Sequence, residues 1–192
     1  TQDSSSAASD VYKRQEYESK AVSALEITDH CYVINSFSKY FSMTGWRVGW
    51  MIVPEDHVRQ VEKVSQNLFI CPPHASQITA LAALDAKEEL DQNVNVYKKN
   101  REILLEELPK AGFTTFSPPD GAFYIYVDIS KFSNDSLSFC KKVLDEAGVA
   151  ITPGLDFDQK RGANTIRFSY ARITEDIIEG AKRIKKFMSS YN

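Results

Sequence analysis

Asn35-Ser36-Phe37-Ser38-Lys39-Tyr40-Phe41-Ser42-Met43-Thr44-Gly45-Trp46-Arg47-Val48-Gly49-Trp50 is the stretch from which the rest of the chain is read. A lysine stands at the end of an apolar, strand-like run, Cys31 to Asn35. Small hydroxyl residues precede it and a Gly-x-Arg-x-Gly turn follows. A lysine serving only solvation has no reason to be placed this way. An amine that attacks a carbonyl, with an anion held beside it, does: amines form Schiff bases with aldehydes, and a cationic neighbour or desolvation lowers their pKa. Arg47 lies eight residues after Lys39 with Gly45 and Gly49 on either side. The glycines allow close backbone approach and the guanidinium grips phosphate through two parallel N–H groups. Ser36 and Ser38 add hydroxyl donors. An electron-sink cofactor with an aldehyde and a phosphate, pyridoxal phosphate, fits that combination.

Outward from this segment, Cys31–Asn35 reads as a buried strand and Arg47–Val53 as a second one stopped by Pro54. A helix from about Glu55 carries Val58, Val61, Val64 and Leu68 on one face, until the Cys71-Pro72-Pro73-His74 stretch breaks it. A second helix runs through Ile78, Leu81 and Ala82. A third, long one carries Tyr97, Arg101, Leu104, Leu105 and Leu108, and ends near Pro109–Gly112. Beyond it Ala122–Asp128 alternates, with Phe123, Ile125 and Val127 on one side. The next helix carries Leu137, Cys140, Val143, Leu144 and Ala147 and closes at Gly148, a C′ glycine. Val149–Thr152 and Thr165–Tyr170 read as strands. The last helix begins with Thr174 as N-cap, acidic residues in its first turn and basic residues towards its end. In the strand Thr165–Tyr170, Ile166, Phe168 and Tyr170 share one face. Arg167 lies on the other with Thr165 and Ser169, where it needs an anionic partner: an acidic side chain of the protein, or a ligand.

Residues 31–54 resemble the lysine segment of the class I and II aminotransferases, pyridoxal-phosphate enzymes of fold type I, through Asn-Ser-Phe-Ser-Lys and Met-Thr-Gly-Trp-Arg-x-Gly-Trp. The resemblance implies that Lys39 is the Schiff-base lysine, that Ser36 and Arg47 hold the cofactor phosphate, and that Ser38 is a further phosphate candidate. It implies that Arg167, in an Arg-x-Ser-x-Ala setting, clamps the substrate α-carboxylate. Pro153-Gly154, Phe157 and Gly162 precede it as in that family. Gly121-Ala122-Phe123-Tyr124 resembles the small-domain strand, where Gly121 permits a close turn and Tyr124 either lines the substrate side or packs in the core. The implied fold class is α/β: the end of a large domain with a mixed sheet and helices, plus a small α+β C-terminal domain. The expected division is a non-native or disordered tail over 1–15, the last part of the large cofactor-binding domain over 16–110, and the small domain over 111–192.

The resemblance runs from about residue 16 to the C-terminus, the second half of such an enzyme. The first half would supply a glycine-rich turn, a ring that stacks on the cofactor and an asparagine. An aspartate for the pyridinium nitrogen and a tyrosine three residues on would align with Ser9 and Tyr12, with Asp10 one position off. The expectation is an aminotransferase acting on an amino acid and a 2-oxo acid, with this chain inactive alone. A carbon–sulfur lyase of the same fold and a non-catalytic fragment are the alternatives. The full-length protein is expected to be a homodimer.

The chain has 192 residues, 43% hydrophobic and 26% charged, with a net charge of −3. The interspersed signs argue against a nucleic-acid surface or a polybasic membrane anchor, and no apolar run reaches the roughly 18 residues of a membrane helix. Three cysteines without metal spacing and the lack of a secretory signal lead to a cytoplasmic expectation. His30, His57 and His74 show no ligand spacing, so no metal is expected. Trp46 and Trp50 are expected to pack rather than stack on a cofactor.

Overall fold

The computed structural model describes residue 17 and residues 22–191. Ser9, Asp10 and Tyr12 therefore lie outside the described residues. The chain forms two compact units, one up to Val94 and one from Asn95.

In the first unit, β1 (Val33–Ser36) and β2 (Gly49–Ile52) pair antiparallel, from Val33 opposite Ile52 to Ser36 opposite Gly49. A Cβ on Gly49 would lie 2.6 Å from the Asn35 carbonyl oxygen, so the close pairing requires glycine there; Gly45, expected to do the same, faces open space. β2 starts two residues later than expected because Arg47 has φ 53° and ψ 49°, a left-handed conformation that cannot continue a strand. Helices α1 (Val58–Leu68) and α2 (His74–Ala83) follow. Phe37, Tyr40, Phe41 and Met43 pack with Ala80 and with Leu90, the latter in the first turns of α3 (Lys87–Lys110). β1 is not buried as expected: Val33 is covered but Ile34 is half-exposed. Among the described residues the sheet has only two strands, and all four residues of β2, on both of its faces, are exposed. On α1, Val58, Val64 and Leu68 are exposed too.

The second unit is built on a three-stranded antiparallel sheet in the order β3 (Tyr124–Asp128), β5 (Thr165–Ser169), β4 (Thr152–Pro153). Arg167 stands opposite Tyr126 on one side and Thr152 on the other. The expected alternation holds, with Ile166, Phe168 and Tyr170 buried and the Phe168 ring edge-on to Phe113 at 5.5 Å between centroids. β4 is shorter than Val149–Thr152 read from the sequence: only Thr152 and Pro153 pair, and proline ends the ladder because it has no N–H. Helix α4 (Ser136–Lys142) runs into a π turn, Val143–Ala147, closed by left-handed Gly148. Phe139, Cys140 and Val143 share one face at ordinary helical spacing and are buried, while Leu137 and Leu144 are exposed. In α5 (Thr174–Ser190) the N-cap is Ile173, and Thr174 is already helical without a capping bond. The left-handed residue before β3 is Ala122, φ 61°, not Gly121. Asn100, fully buried on α3, donates to the carbonyls of Tyr170 (3.0 Å) and Arg172 (2.7 Å), tying down the end of β5.

The loop between β4 and β5 folds on itself. A Cβ on Gly162 would lie 2.5 Å from the Leu155 nitrogen and 2.6 Å from the Gly154 carbonyl. Both neighbours are backbone and cannot move aside. Gly162→Ala should therefore cost about 2–4 kcal/mol in unfolding of the chain. A loss below ~1 kcal/mol would mean that the loop opens without consequence.

Candidate active site

The lysine loop leaves β1 and returns to β2. The Phe37 N–H donates to Val48 O (3.1 Å) and the Met43 N–H to Phe37 O (3.1 Å). The Thr44 hydroxyl donates to Ser38 O at 2.6 Å. The ring of Phe37 meets those of Phe41 at 4.6 Å and Trp50 at 5.0 Å between centroids. Trp50 thus packs on Phe37 and Phe41 while remaining 38% exposed, close to the 43% of Trp46. The Tyr40 hydroxyl donates to Asp91 at 2.6 Å. Buried aromatic anchors on both sides hold half-buried Lys39 on a rigid loop.

The phosphate candidates sit on the same loop. Ser36 Oγ accepts from the Ser38 N–H at 3.0 Å, which leaves the Ser36 O–H to donate. Ser38 is half-buried beside the lysine. Arg47 is exposed; one guanidinium N–H meets the Thr44 carbonyl at 2.7 Å. No carboxylate among the described residues pairs with it. Its left-handed backbone costs roughly 1–3 kcal/mol and is typical of a ligand clamp. Two hydroxyls, an amine and an unneutralised guanidinium on one short loop fit an anionic aldehyde such as pyridoxal phosphate.

In the second unit Arg167 is half-buried, and no acidic side chain among the described residues pairs with it. Its Nε is buried with no acceptor. A long contact of 3.5 Å joins Nη2 to Thr152 Oγ1. The guanidinium carbon lies 4.3 Å from the Phe157 ring centroid and 5.3 Å from that of Tyr124. Of the two partners the sequence left open for Arg167, no acidic side chain stands beside it among the described residues. Tyr124 is half-buried and faces this cation rather than the core. Thr152 and Phe157 complete the surroundings. Neither was singled out for a role from sequence; an aromatic three residues after Pro153-Gly154 was the available signal.

Other candidate chemistry is weak. No group of three or more His, Cys, Asp or Glu among the described residues could hold a metal. Burial pushes the Cys140 thiol up to about 11, with Asp156 adding to the shift, so it is no nucleophile at neutral pH. No helix among the described residues is long and apolar enough to cross a membrane.

The chain belongs to the family of aminotransferases of class I and II, whose profile matches residues 7–184. Its fold is that of the fold type I aminotransferases. It is 46% identical over 169 residues to a valine–pyruvate aminotransferase of Mycobacterium tuberculosis, covering 87% of this chain and 44% of that one. It is 36% identical over 186 residues to an aspartate aminotransferase of Sulfurisphaera tokodaii, covering 93% and 47%. Among solved structures, one from Silicibacter pomeroyi superposes with a TM-score of 0.91 at 65% identity, over 94% of this chain and 49% of that one. An aminotransferase from Mycobacterium tuberculosis gives 0.91 at 43%, over 94% and 48%. The chain thus spans about half the length of the relatives it matches.

Proposed function

We propose that this chain is the lysine-bearing part of a pyridoxal-phosphate aminotransferase that moves an amino group between an amino acid and a 2-oxo acid. The observation that supports this reading is the lysine loop, which carries Ser36, Lys39 and Arg47 within twelve residues, with no carboxylate among the described residues paired with Arg47. Bound covalently to Lys39, pyridoxal phosphate would supply an electron sink for the carbanion at the substrate α-carbon. Ser36, Ser38 and Arg47 hold the phosphate and keep the reacting bonds oriented. Once freed, the Lys39 amine would take the α-proton onto Nζ and pass it, in the same half of the reaction, to the carbon that had carried the Lys39 imine; the second half would run this transfer in reverse. Arg167 binds the α-carboxylate with its planar fork, and Tyr124 borders that position. The 46% identical relative makes valine and pyruvate the first substrate pair to test. Three free cysteines, an odd count with no pairing pattern, fit a reducing compartment and so support a cytoplasmic protein, and the family resemblance supports a homodimer at full length.

The test is an absorbance scan of the chain with pyridoxal phosphate, then borohydride reduction and peptide mapping. An imine band with the label on Lys39 is the expected result. Label scattered over surface lysines would overturn the cofactor assignment. In the longer protein, valine and pyruvate should yield a 2-oxo acid and alanine; an eliminated thiol from a sulfur amino acid would favour the lyase instead.

A further inference from the structure

We propose that Phe157 is a positioning residue that holds the Arg167 guanidinium ready for a carboxylate. The inference rests on the reading of Arg167 given above. A half-buried cation without an acidic partner loses hydration and regains little of it. Here the recovery comes from ring faces, with Phe157 the nearer at 4.3 Å. A ring that attracts a cation through its π face leaves the in-plane N–H groups unused, so the fork stays available to a ligand. A carboxylate of the protein would have consumed it.

Phe157 is 54% exposed, and core formation alone would have buried it. The loop keeps it in place. Its N–H donates to Gly154 O at 2.9 Å, and the Gly154–Gly162 crossing fixes the backbone around it. Asp158, the next residue, accepts from the backbone N–H groups of Lys160 (2.8 Å) and Arg161 (3.0 Å). Those bonds, that to Arg161 foremost, hold its carboxyl below the usual range. The tight loop thus serves to present one ring to one guanidinium.

The test uses the full 192-residue chain, isotope-labelled, with the Arg167 Nε–H order parameter as primary readout. In the native chain it should be above about 0.8, and in Phe157→Leu below about 0.6. Phe157→Tyr, which keeps the ring, should restore it. Phe157→Met is the second variant should the leucine disturb the backbone spectrum. Pyruvate, titrated as the carboxylate probe, should bind about fivefold more weakly to Phe157→Leu and as in the native chain to Phe157→Tyr. An order parameter unchanged in Phe157→Leu would overturn the proposal. If pyruvate fails to move the Arg167 resonance in the native chain, the carboxylate reading of Arg167 falls, and the order parameter still decides the role of Phe157.

Discussion

Lys39→Ala is expected to abolish covalent capture of pyridoxal phosphate and to lower transamination in the longer protein by about 10⁴-fold or more. Two losses combine. The imine to the protein disappears, and so does the amine that moves the α-proton. The loop itself should survive, because its shape comes from other groups. The Phe37 and Met43 amides, the Thr44 hydroxyl and the Phe37–Phe41–Trp50 ring cluster are all untouched. Near-ultraviolet dichroism of these rings should therefore stay as in the native chain while borohydride labelling is lost. Lys39→Arg separates charge from chemistry: it keeps the cation, but a guanidinium stays protonated and cannot take a proton, so it should be as inactive as alanine. Added methylamine should restore part of the rate in Lys39→Ala, since a small amine can enter the vacated position and act as base. A Lys39→Ala protein that keeps both its label and its rate would remove the lysine from the mechanism.

The lysine loop was legible because chemistry dictates residue type there: an amine, hydroxyls and a guanidinium spaced around glycines have few other uses. Its backbone was not legible in the same way. The sequence offers two glycines as points of close approach, yet only Gly49 meets backbone, and the left-handed residue is Arg47 itself. Nothing in residue type signals an arginine at positive φ, because the strain is imposed by the loop around it. Burial of β1 was misread for a related reason. An apolar run states what should be covered, and alternation assigns faces, but whether a face finds a partner depends on elements that a local pattern cannot contain. Ile34, Val58, Val64 and Leu68 are apolar and exposed for that reason. In the second unit the alternation of β5 placed Arg167 correctly opposite Ile166 and Phe168. The register that brings Thr152 beside it and the loop that brings Phe157 over it arise from tertiary pairing and a glycine crossing, which spacing alone does not encode.

Arg167 gives the second large effect, and it separates two uses of a half-buried cation. Were the arginine one half of a structural ion pair, Arg167→Leu would leave an unpaired buried acid and destabilise the protein by about 3–5 kcal/mol. No such acid stands beside it among the described residues, and its buried Nε has no acceptor. The native chain already carries the cost of that orphaned group, so leucine, of smaller volume and no charge, should leave unfolding stability unchanged or raise it by about 1 kcal/mol. Function should move the other way. A two-bond contact between guanidinium and carboxylate is a strong charge-assisted interaction. Its loss should lower kcat/KM for amino acid and 2-oxo acid alike by about 10²–10³-fold, because both substrates present the same carboxylate. Arg167→Lys should recover only part of the loss, since an ammonium keeps the charge but not the fork. Urea unfolding of the chain and steady-state kinetics of the longer protein check the two halves separately. A large loss of stability with no selective effect on carboxylate substrates would return Arg167 to a structural role. Gain or constancy of stability alongside loss of turnover identifies a group whose conformational cost is borne for its ligand.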